Sequence, residues 1–227
     1  MLEEAQPISR REQAKGGRRA RIVDATYALL REVGIADLSV KMIADQAGVS
    51  PATVYNLFGT KAVVLEKVYE RDLADFQARI AATPSADSLE RIFDCVTISV
   101  EHYSADLRFY RSIMKMPSAE PADNELIDMV TSSRANFWGD LARAAVEDGH
   151  LRADTDTERV GVVMTHLSRG ALSPWVTNQT TIEQYGADVG YGFAAILWSF
   201  ATRASQQRLQ KWLETPTARK RAKAQAQ

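Results

Sequence analysis

Apolar residues recur every three or four positions along almost the whole chain, which predicts an all-helical protein. The pattern is sharpest in residues 38–57, LSVKMIADQAGVSPATVYNL. A first short helix there carries one apolar face made of Val40, Ile43, Ala44 and Ala47, and a second, from about Pro51 to Leu57, turns Val54 inward. No segment alternates β-branched and polar residues long enough to predict a strand.

The residues around these two short helices predict where each begins and ends. Ser39 can cap the first helix, and Gly48 can end it because glycine tolerates a positive φ. Ser50 followed by Pro51 is a second helix start. Two short helices joined by a glycine-bearing turn of about three residues predict a helix-turn-helix, in which the second helix enters the DNA major groove.

The outward side of the second helix is suited to DNA. Small side chains there let a helix approach base edges, while Tyr55 and Lys61 can reach phosphates. A basic run before the first helix is either a solvated tail or a further source of phosphate or minor-groove contacts. The candidate DNA-binding residues are Arg18, Arg19, Ser39, Lys41, Ser50, Pro51, Ala52, Thr53, Tyr55, Asn56 and Lys61.

The remaining periodicity extends the helical prediction in both directions. A first helix is expected from about Gly17 to Val33, a long one from Thr60 to about Ala82, and a final one from about Ile182 to Leu209. A short helix rich in large apolar groups is expected over 107–116. Residues 1–14 and the basic segment 213–227 are expected to be disordered tails.

Composition adds a charge asymmetry. The formal net charge of the 227 residues is −1, but the charges are unevenly distributed. Basic residues outnumber acidic ones nine to five over residues 8–61, whereas residues 62–202 contain twelve basic and twenty-one acidic residues. A positive end suits a polyanion, and an acidic remainder is repelled by it.

Candidate chemistry elsewhere is sparse. The single cysteine, Cys95, lies among apolar residues, which favours a small buried side chain over a redox sensor. Glu147-x-x-His150 matches half of a di-iron motif, has no second copy, and is interpreted as a solvated helix end. We therefore expect no catalytic residue, no metal and no cofactor. The polar start and the lack of a long apolar run predict no membrane span and a cytoplasmic location.

The stretch around the two short helices resembles the DNA-binding domain of the TetR family of transcriptional regulators. The matching elements, over about fifty residues, are Gly34, Ser39, Ile43-Ala44, Gly48-Val49-Ser50, Thr53-Val54-Tyr55, Phe58 and Thr60-Lys61. The resemblance implies a DNA-binding domain over 15–75, with its motif at about 38–57, and a helical ligand-binding and dimerisation domain over 76–212. It also implies a long helix that links the two.

The resemblance further implies a homodimer that binds double-stranded DNA at a palindromic operator. The family pairs its last two long helices between subunits, and small residues in the final helix permit either such pairing or close packing within one chain. The candidate interface residues are Gly186, Gly190, Phe193, Ala194 and Leu197.

A pocket for a small, largely apolar ligand is implied in the same domain. Large apolar side chains there are either plain core or the lining of such a pocket, and His166 is either its polar anchor or a core histidine. The candidate residues are Phe93, Phe109, Tyr110, Met114, Phe137, Met164, His166 and Trp175. The function expected is a ligand-released repressor. An activator, or a helical enzyme or carrier that retains a DNA-binding head, remains an alternative.

Overall fold

The structure, a computed structural model, describes residues 9–114 and 121–214, and for 114 and 121–130 it describes the backbone alone. The described residues form helices joined by short connections, with one isolated antiparallel bridge between Leu151 and Ala201. The all-helical prediction is therefore confirmed. The helices are α1 Arg10–Glu32, α2 Gly34–Asp37, α3 Val40–Ala47, α4 Pro51–Phe58, α5 Lys61–Ala82, α6 Ser88–Ala105, α7 Leu107–Met114, α8 Pro121–Glu147, α9 Thr157–Val176, α10 Ile182–Trp198 and α11 Arg203–Leu213.

The helices form two compact units. Of the residues that the structure describes, the first contains 9–75 together with 107–114 and 121–126, and the second contains 76–106 and 127–214. The boundary between the two domains was predicted after residue 75, and the helix over 107–116 was predicted in the second domain. The structure places α7 in the first unit because it packs on α1 and α2. Among the described residues, no helix is long and apolar enough to cross a membrane.

The core of the first unit is built where α1 packs on α3 and α3 on α4. Its fully buried side chains include Ile22 and Leu30 of α1, Ile43 of α3 and Val54 of α4. Ile43 and Val54 are inward positions that the helical periodicity predicted. Burial of this shared face holds two helices of eight residues each, which are too short to be stable alone.

The N-terminus of α1 differs from the prediction. Residues 10–16, expected to precede the first helix, are helical, and α1 begins at Arg10 rather than Gly17. The reason is a capping box: the Ser9 hydroxyl accepts from the Glu12 amide, and the Glu12 carboxylate accepts from the Ser9 amide. Two amides left without partners at the helix start are satisfied in this way. Residues 1–8 of the expected tail lie outside the described residues.

In the second unit, α10 packs against α6, α9 and α11. The largest fully buried side chains there include Phe93 of α6, Met164 and Trp175 of α9 and Phe193 of α10. Close approach of α9 to α8 depends on Gly161. A Cβ at that position would lie 2.3 Å from the Ala135 oxygen and 2.6 Å from the Gly139 nitrogen.

The prediction of a single final helix from Ile182 to Leu209 is wrong in one respect, because two helices, α10 and α11, occupy this range. The chain leaves α10 after Trp198 and pairs with residues 150–152 before α11 begins. The Arg152 amide donates to the Phe200 oxygen at 2.9 Å, and the Thr202 amide donates to the His150 oxygen at 3.0 Å. Hydrogen bonding to a distant segment thus replaces helical bonding here. Residues 215–227, most of the expected basic tail, lie outside the described residues.

A charged cluster attaches α11 to the start of α6. Asp87, the N-cap of α6, accepts from both terminal nitrogens of Arg208 at 2.8 and 3.0 Å, and His150 lies 3.6 Å from it. Lys211 donates to Glu90 at 2.8 Å. The bond from Arg208, opposed by some desolvation and helped by the amide of Glu90, lowers the pKa of Asp87 from 3.8 to about 2.

Gly161→Ala should destabilise the protein. The added methyl meets backbone atoms that cannot rotate away, so we expect the free energy of unfolding to fall by about 1–3 kcal/mol. Gly170→Ala is the matched control on the same helix, since nothing lies within 4 Å of its added Cβ. It should stabilise by up to about 1 kcal/mol through helix propensity. Denaturant unfolding of both variants measures the difference, and equal effects would contradict the packing argument.

Asp87→Asn should lower stability in a pH-dependent manner. Because the folded-state pKa of Asp87 is depressed, its stabilisation is present above about pH 4 and is lost as pH falls towards 2. We expect the variant to be less stable than the parent by about 1–2 kcal/mol near neutral pH. Thermal unfolding from pH 7 to pH 2 should show the two proteins converging at low pH. Asp154→Asn, in an exposed pair with Arg152, is the control. A parent-to-variant gap independent of pH would count against this assignment.

Candidate nucleic-acid interface

The turn between α3 and α4 has the geometry that the sequence predicted. Ser39 accepts from the Met42 amide at 3.2 Å, and Gly48 adopts φ 65° and ψ 41° at the end of α3. The Val49 amide then donates to the Ala44 oxygen at 3.0 Å, which satisfies a carbonyl left free by the helix end. The predictions for Ser39 and Gly48 are confirmed.

The N-terminus of α4 is fixed by its own side chains. The Ser50 hydroxyl accepts from the Thr53 amide at 3.1 Å, and its oxygen lies 2.9 Å from the Thr53 hydroxyl oxygen. Pro51 occupies the first turn, as predicted. Ser50 is exposed and Thr53 is half-buried, so the two hydroxyls form a pair at the edge of the outward face.

The C-terminus of α4 is held by a residue from α1. Arg19 donates from Nη2 to the Leu57 oxygen at 2.6 Å, and its guanidinium lies 5.4 Å from the centroid of the Phe58 ring. A cation that bonds a terminal helix carbonyl also interacts favourably with the helix dipole. Arg19 therefore positions α4, a role that was not predicted from the sequence.

Lys61 has a similar second role. Its ammonium donates to the Leu38 oxygen at 3.1 Å, so the start of α5 is bonded to the chain two residues before α3. Next to it, the Thr60 hydroxyl accepts from the Val63 amide at 3.3 Å and caps the start of α5. A lysine that donates to a carbonyl has fewer donors left for a phosphate.

The outward face of α4 is made of Pro51, Ala52, Tyr55 and Asn56. All four are exposed, and Tyr55 is the most exposed large hydrophobic side chain among the described residues, at 53%. Of the other candidates in this unit, Arg19, Ser39, Lys41 and Ser50 are exposed, whereas Arg18, Thr53 and Lys61 are half-buried. The first unit thus presents a small, mostly uncharged helix face with cations around it.

Side chains of α1, α5 and α7 contact one another in the first unit. The Tyr27 ring of α1 lies 4.2 Å from the Phe109 ring, measured between centroids, and its centroid lies 5.7 Å from the guanidiniums of Arg31 and Arg71. Arg71 also pairs with Asp24. The Tyr110 hydroxyl donates to Asp72 at 2.5 Å. A shallow cavity of about 250 Å³ between α1, α4 and α5 is lined by Arg19, Ala20, Val23, Asp24, Phe58, Lys67 and Arg71.

Several predicted ligand residues are not where the pocket was expected. Phe109 and Tyr110 are core residues of the first unit. Phe93 is buried against Trp212 of α11, with ring centroids 4.5 Å apart. The side chain of Met114 lies outside the described residues. Phe109 and Tyr110 therefore lie outside the unit in which the pocket was expected, and Phe93 packs against α11.

His166 is also misplaced by the prediction. The buried stripe of α9 runs through Val160, Met164, Ser168 and Trp175. His166 lies two residues after Met164, which corresponds to a rotation of about 200° around the helix axis. It therefore lies on the opposite side of α9 and is exposed. The buried imidazole belongs to His102 of α6 instead, which is 7% exposed and lies with Nδ1 3.3 Å from Nη1 of Arg79. Its place on the apolar stripe of α6 was the signal that could have found it.

The other predicted ligand residues lie in or beside an aromatic cluster of the second unit. Trp175 stacks on Tyr103 at 5.9 Å, and Tyr103 lies 6.0 Å from the Tyr185 ring. Phe137 contacts both Phe76 and Trp138, at 6.4 and 4.9 Å. Complete burial, with a smaller effect of Tyr103, raises the pKa of Tyr185 well above its ordinary value, so its hydroxyl stays protonated. We call Phe76, His102, Tyr103, Phe137, Trp138, Trp175 and Tyr185 the aromatic cluster; Met164 is fully buried on the same helix as Trp175.

The predicted dimer-interface residues face the interior of their own chain. Gly190, Phe193, Ala194 and Leu197 are buried. A Cβ at Gly190 would lie 2.9 Å from the Trp212 ring, and one at Gly186 would lie 2.5 Å from a methyl of Val100. The small residues therefore serve close packing within the chain, which was the other possibility considered. The opposite faces of α9 and α10 expose Val163 at 41% and Tyr191 at 47%.

Comparison with known proteins points to one family. Residues 22–68 match the sequence model described as bacterial regulatory proteins, tetR family. The chain is 32% identical over 182 residues to the HTH-type transcriptional repressor KstR of Rhodococcus jostii RHA1, an alignment that covers 74% of this chain and 77% of that relative. It is 28% identical over 149 residues to KstR2 of the same strain, covering 63% and 72%.

A solved structure shows the same fold. The FadR repressor of Thermus thermophilus, described as a TetR-family protein in complex with lauroyl-CoA, has a TM-score of 0.66 to this chain. The comparison covers 82% of this chain and 96% of that one, at 18% sequence identity.

Proposed function

The chain belongs to the TetR family of bacterial regulatory proteins, and from that membership we propose that it is a transcriptional repressor whose α4 reads the major groove of an operator. The observation that carries this proposal is the exposed face of α4, which is held at both of its ends and begins with the small side chains of Pro51 and Ala52. A rigid helix with little bulk at its start can approach base edges closely there. The repressor names of the relatives KstR and KstR2 support the direction of regulation.

We propose different tasks for the candidate DNA-binding residues of the first unit. Thr53 and Ala52 lie at the start of α4, where recognition helices contact bases, and the Ala52 methyl suits a thymine methyl. Tyr55, Lys41 and Arg18 are placed to meet phosphates, which fix register without reading sequence. Arg19 and Lys61 mainly hold α4 and α5 in place through their bonds to Leu57 and Leu38.

The operator is proposed to be a palindrome bound by a homodimer. A two-fold dimer presents two recognition helices to successive major grooves. The exposed side of α9 and α10, with Val163, His166 and Tyr191, is the surface proposed to pair. Exposed apolar side chains on adjacent helices, α9 and α10 being in contact, fit a helix-to-helix interface.

Ligand control is proposed to act through the aromatic cluster. Apolar rings with a few polar groups, here the His102 imidazole and the Tyr185 hydroxyl, match the way small apolar ligands are held. Binding releases the protein from DNA if the ligand favours a subunit arrangement that no longer matches the operator. The FadR relative in fold is bound to lauroyl-CoA, which makes long-chain acyl compounds the first candidates to test.

Tyr55→Ala and Thr53→Ala should separate affinity from specificity. Selection of bound duplexes from a random library should yield a palindrome for the parent protein. Loss of the Tyr55 side chain, whose hydroxyl is proposed to bind a phosphate, should weaken binding about equally on all duplexes, whereas loss of the Thr53 hydroxyl should reduce discrimination at one operator position by about 1–3 kcal/mol. Lys61→Ala is unsuitable here because it also breaks the bond to Leu38. If the parent protein enriched no duplex at all, the proposed function would be refuted.

His102→Ala should impair release of the operator by ligand, and Gln207→Ala should not. The first removes a buried polar group of the aromatic cluster, and the second removes an exposed polar side chain of α11, outside both the cluster and the surface proposed to pair. Fluorescence anisotropy of labelled operator, titrated with lauroyl-CoA and with lauric acid, gives the concentration for half-release. We expect this concentration to rise by about tenfold or more in the first variant, equivalent to a decrease in ligand affinity of about 1.4 kcal/mol. Equal behaviour of the two variants would argue against a site in the cluster.

A further inference from the structure

The cavity between α1, α4 and α5 has no part in the proposed function. Its volume, about 250 Å³, lies just below the range of about 300–1,000 Å³ that small-molecule sites usually have, so it suits a molecule with a single ring. Most of its lining surface is apolar and comes from Ala20 and Val23 of α1, Phe58 of α4 and the stems of longer side chains. An apolar surface with charged groups beside it is the common form of a small-molecule site.

Two of the three cations that line the cavity are already paired with carboxylates. Arg71 forms a salt bridge with Asp24, which also lines the cavity. Lys67 donates to Glu70 at 2.6 Å and lies 3.7 Å from Glu66. These two cations attract a further anion only weakly, because nearby carboxylates balance their charges.

Arg19 is the third cation, and its charge is not balanced in this way. No salt bridge joins it to a carboxylate within the part of the chain that the structure describes. Its hydrogen bond goes to a neutral acceptor, the Leu57 oxygen at 2.6 Å. A guanidinium has five donors in a planar fork, so donors remain for an anion beside that bond. The charge that a ligand of this cavity would complement is therefore positive and is located at Arg19.

We propose that the cavity is a second ligand site, which binds a small aromatic carboxylate. The carboxylate takes two parallel hydrogen bonds from the Arg19 guanidinium, the geometry in which arginine binds carboxylates most strongly. The guanidinium lies 5.4 Å from the centroid of the Phe58 ring, so a ring attached to the carboxylate is brought against Phe58 and Val23. Contact between the two aromatic rings adds to the burial of apolar surface.

Occupancy of this site weakens the attachment of α4. The bond from Arg19 to the Leu57 oxygen holds the last turn of α4, and a carboxylate is a stronger acceptor than a carbonyl. The ligand also places a negative charge beside the helix that is proposed to read DNA, which repels phosphates. Operator affinity therefore falls when the ligand binds. This effect rests on the proposed function, whereas binding of the ligand itself does not.

Ala20→Phe is the variant that blocks the site. Ala20 lines the cavity, is exposed and has no proposed contact with DNA, and the added ring occupies the space of the ligand ring. Ala74→Phe is the matched control, since Ala74 is exposed on α5 and does not line the cavity. Both substitutions have the same effect on helix propensity, and neither alters a charge. Thermal unfolding of each variant checks that the first unit remains folded.

The first measurement is a titration of the full chain with benzoate, without DNA, followed by the NMR signals of the Val23 methyl groups. Benzoate should shift these signals in the parent and in Ala74→Phe, but not in Ala20→Phe. Benzamide has the same shape without the charge, so it should need a concentration about tenfold higher or more for the same shift. Because Val23 lines the cavity, its signals distinguish this site from the aromatic cluster of the second unit.

The second measurement is the affinity for the selected operator, by anisotropy, with and without saturating benzoate. Acetate at equal concentration is the control for ionic strength, since salt alone weakens DNA binding. Benzoate should raise the operator Kd by about fivefold or more in the parent and in Ala74→Phe, and it should have no effect beyond that of acetate in Ala20→Phe. By reciprocity, saturating operator should raise the benzoate Kd of the parent by the same factor.

Several results would overturn the proposal. These are unchanged Val23 signals with benzoate, equal affinity for benzamide, a parent-like response of Ala20→Phe, or an operator affinity that benzoate alters no more than acetate does. Loss of operator binding in Ala20→Phe but not in Ala74→Phe would assign the cavity to DNA and would also overturn it. If the parent selected no operator, the proposed function would fail, and the NMR titration would still decide whether the cavity is a ligand site.

Discussion

The orientation of α4 depends on the hydrogen bonds at its two ends. A helix of eight residues has too few internal bonds to be stable alone, so its neighbours must hold it. Burial of Val54 and Phe58 supplies the attachment, Ser50 closes the first turn, and Arg19 bonds a carbonyl of the last turn. With both ends fixed, the outward face of α4 has one direction relative to α1 and α3.

Some of the residues that hold the helix-turn-helix together have two roles. Arg19 and Lys61 carry charges suited to phosphate, but in the structure they bond to backbone oxygens of Leu57 and Leu38. A cation at a helix end can act in both ways, because a guanidinium has five donors and an ammonium three. In this unit, side chains that assemble the helix-turn-helix are therefore also part of its positive potential.

In the second unit, both close helix packing and the charged cluster around Asp87 stabilise the structure. Gly161, Gly186 and Gly190 remove side-chain bulk so that helices or a tryptophan ring can approach their backbone. The ion pair of Asp87 with Arg208 then attaches α11 to α6 at the edge of this packing. The aromatic cluster also lies in this unit and contains two polar groups, the His102 imidazole and the Tyr185 hydroxyl. These groups can form hydrogen bonds of defined direction, which an aliphatic core cannot.

The sequence by itself determined the features that depend on neighbours a few residues apart. Helical periodicity, the cap at Ser50 and the left-handed Gly48 are local matters, so the helix-turn-helix could be predicted almost to the residue. Only the tertiary structure decided which partner covers each apolar face. It placed α7 with the first unit, broke the final helix where Phe200–Thr202 pair with 150–152, buried His102 and exposed His166. An apolar stripe shows that one face of a helix is buried. It does not identify the element that covers this face, because contacts between distant segments depend on the packing of the whole chain.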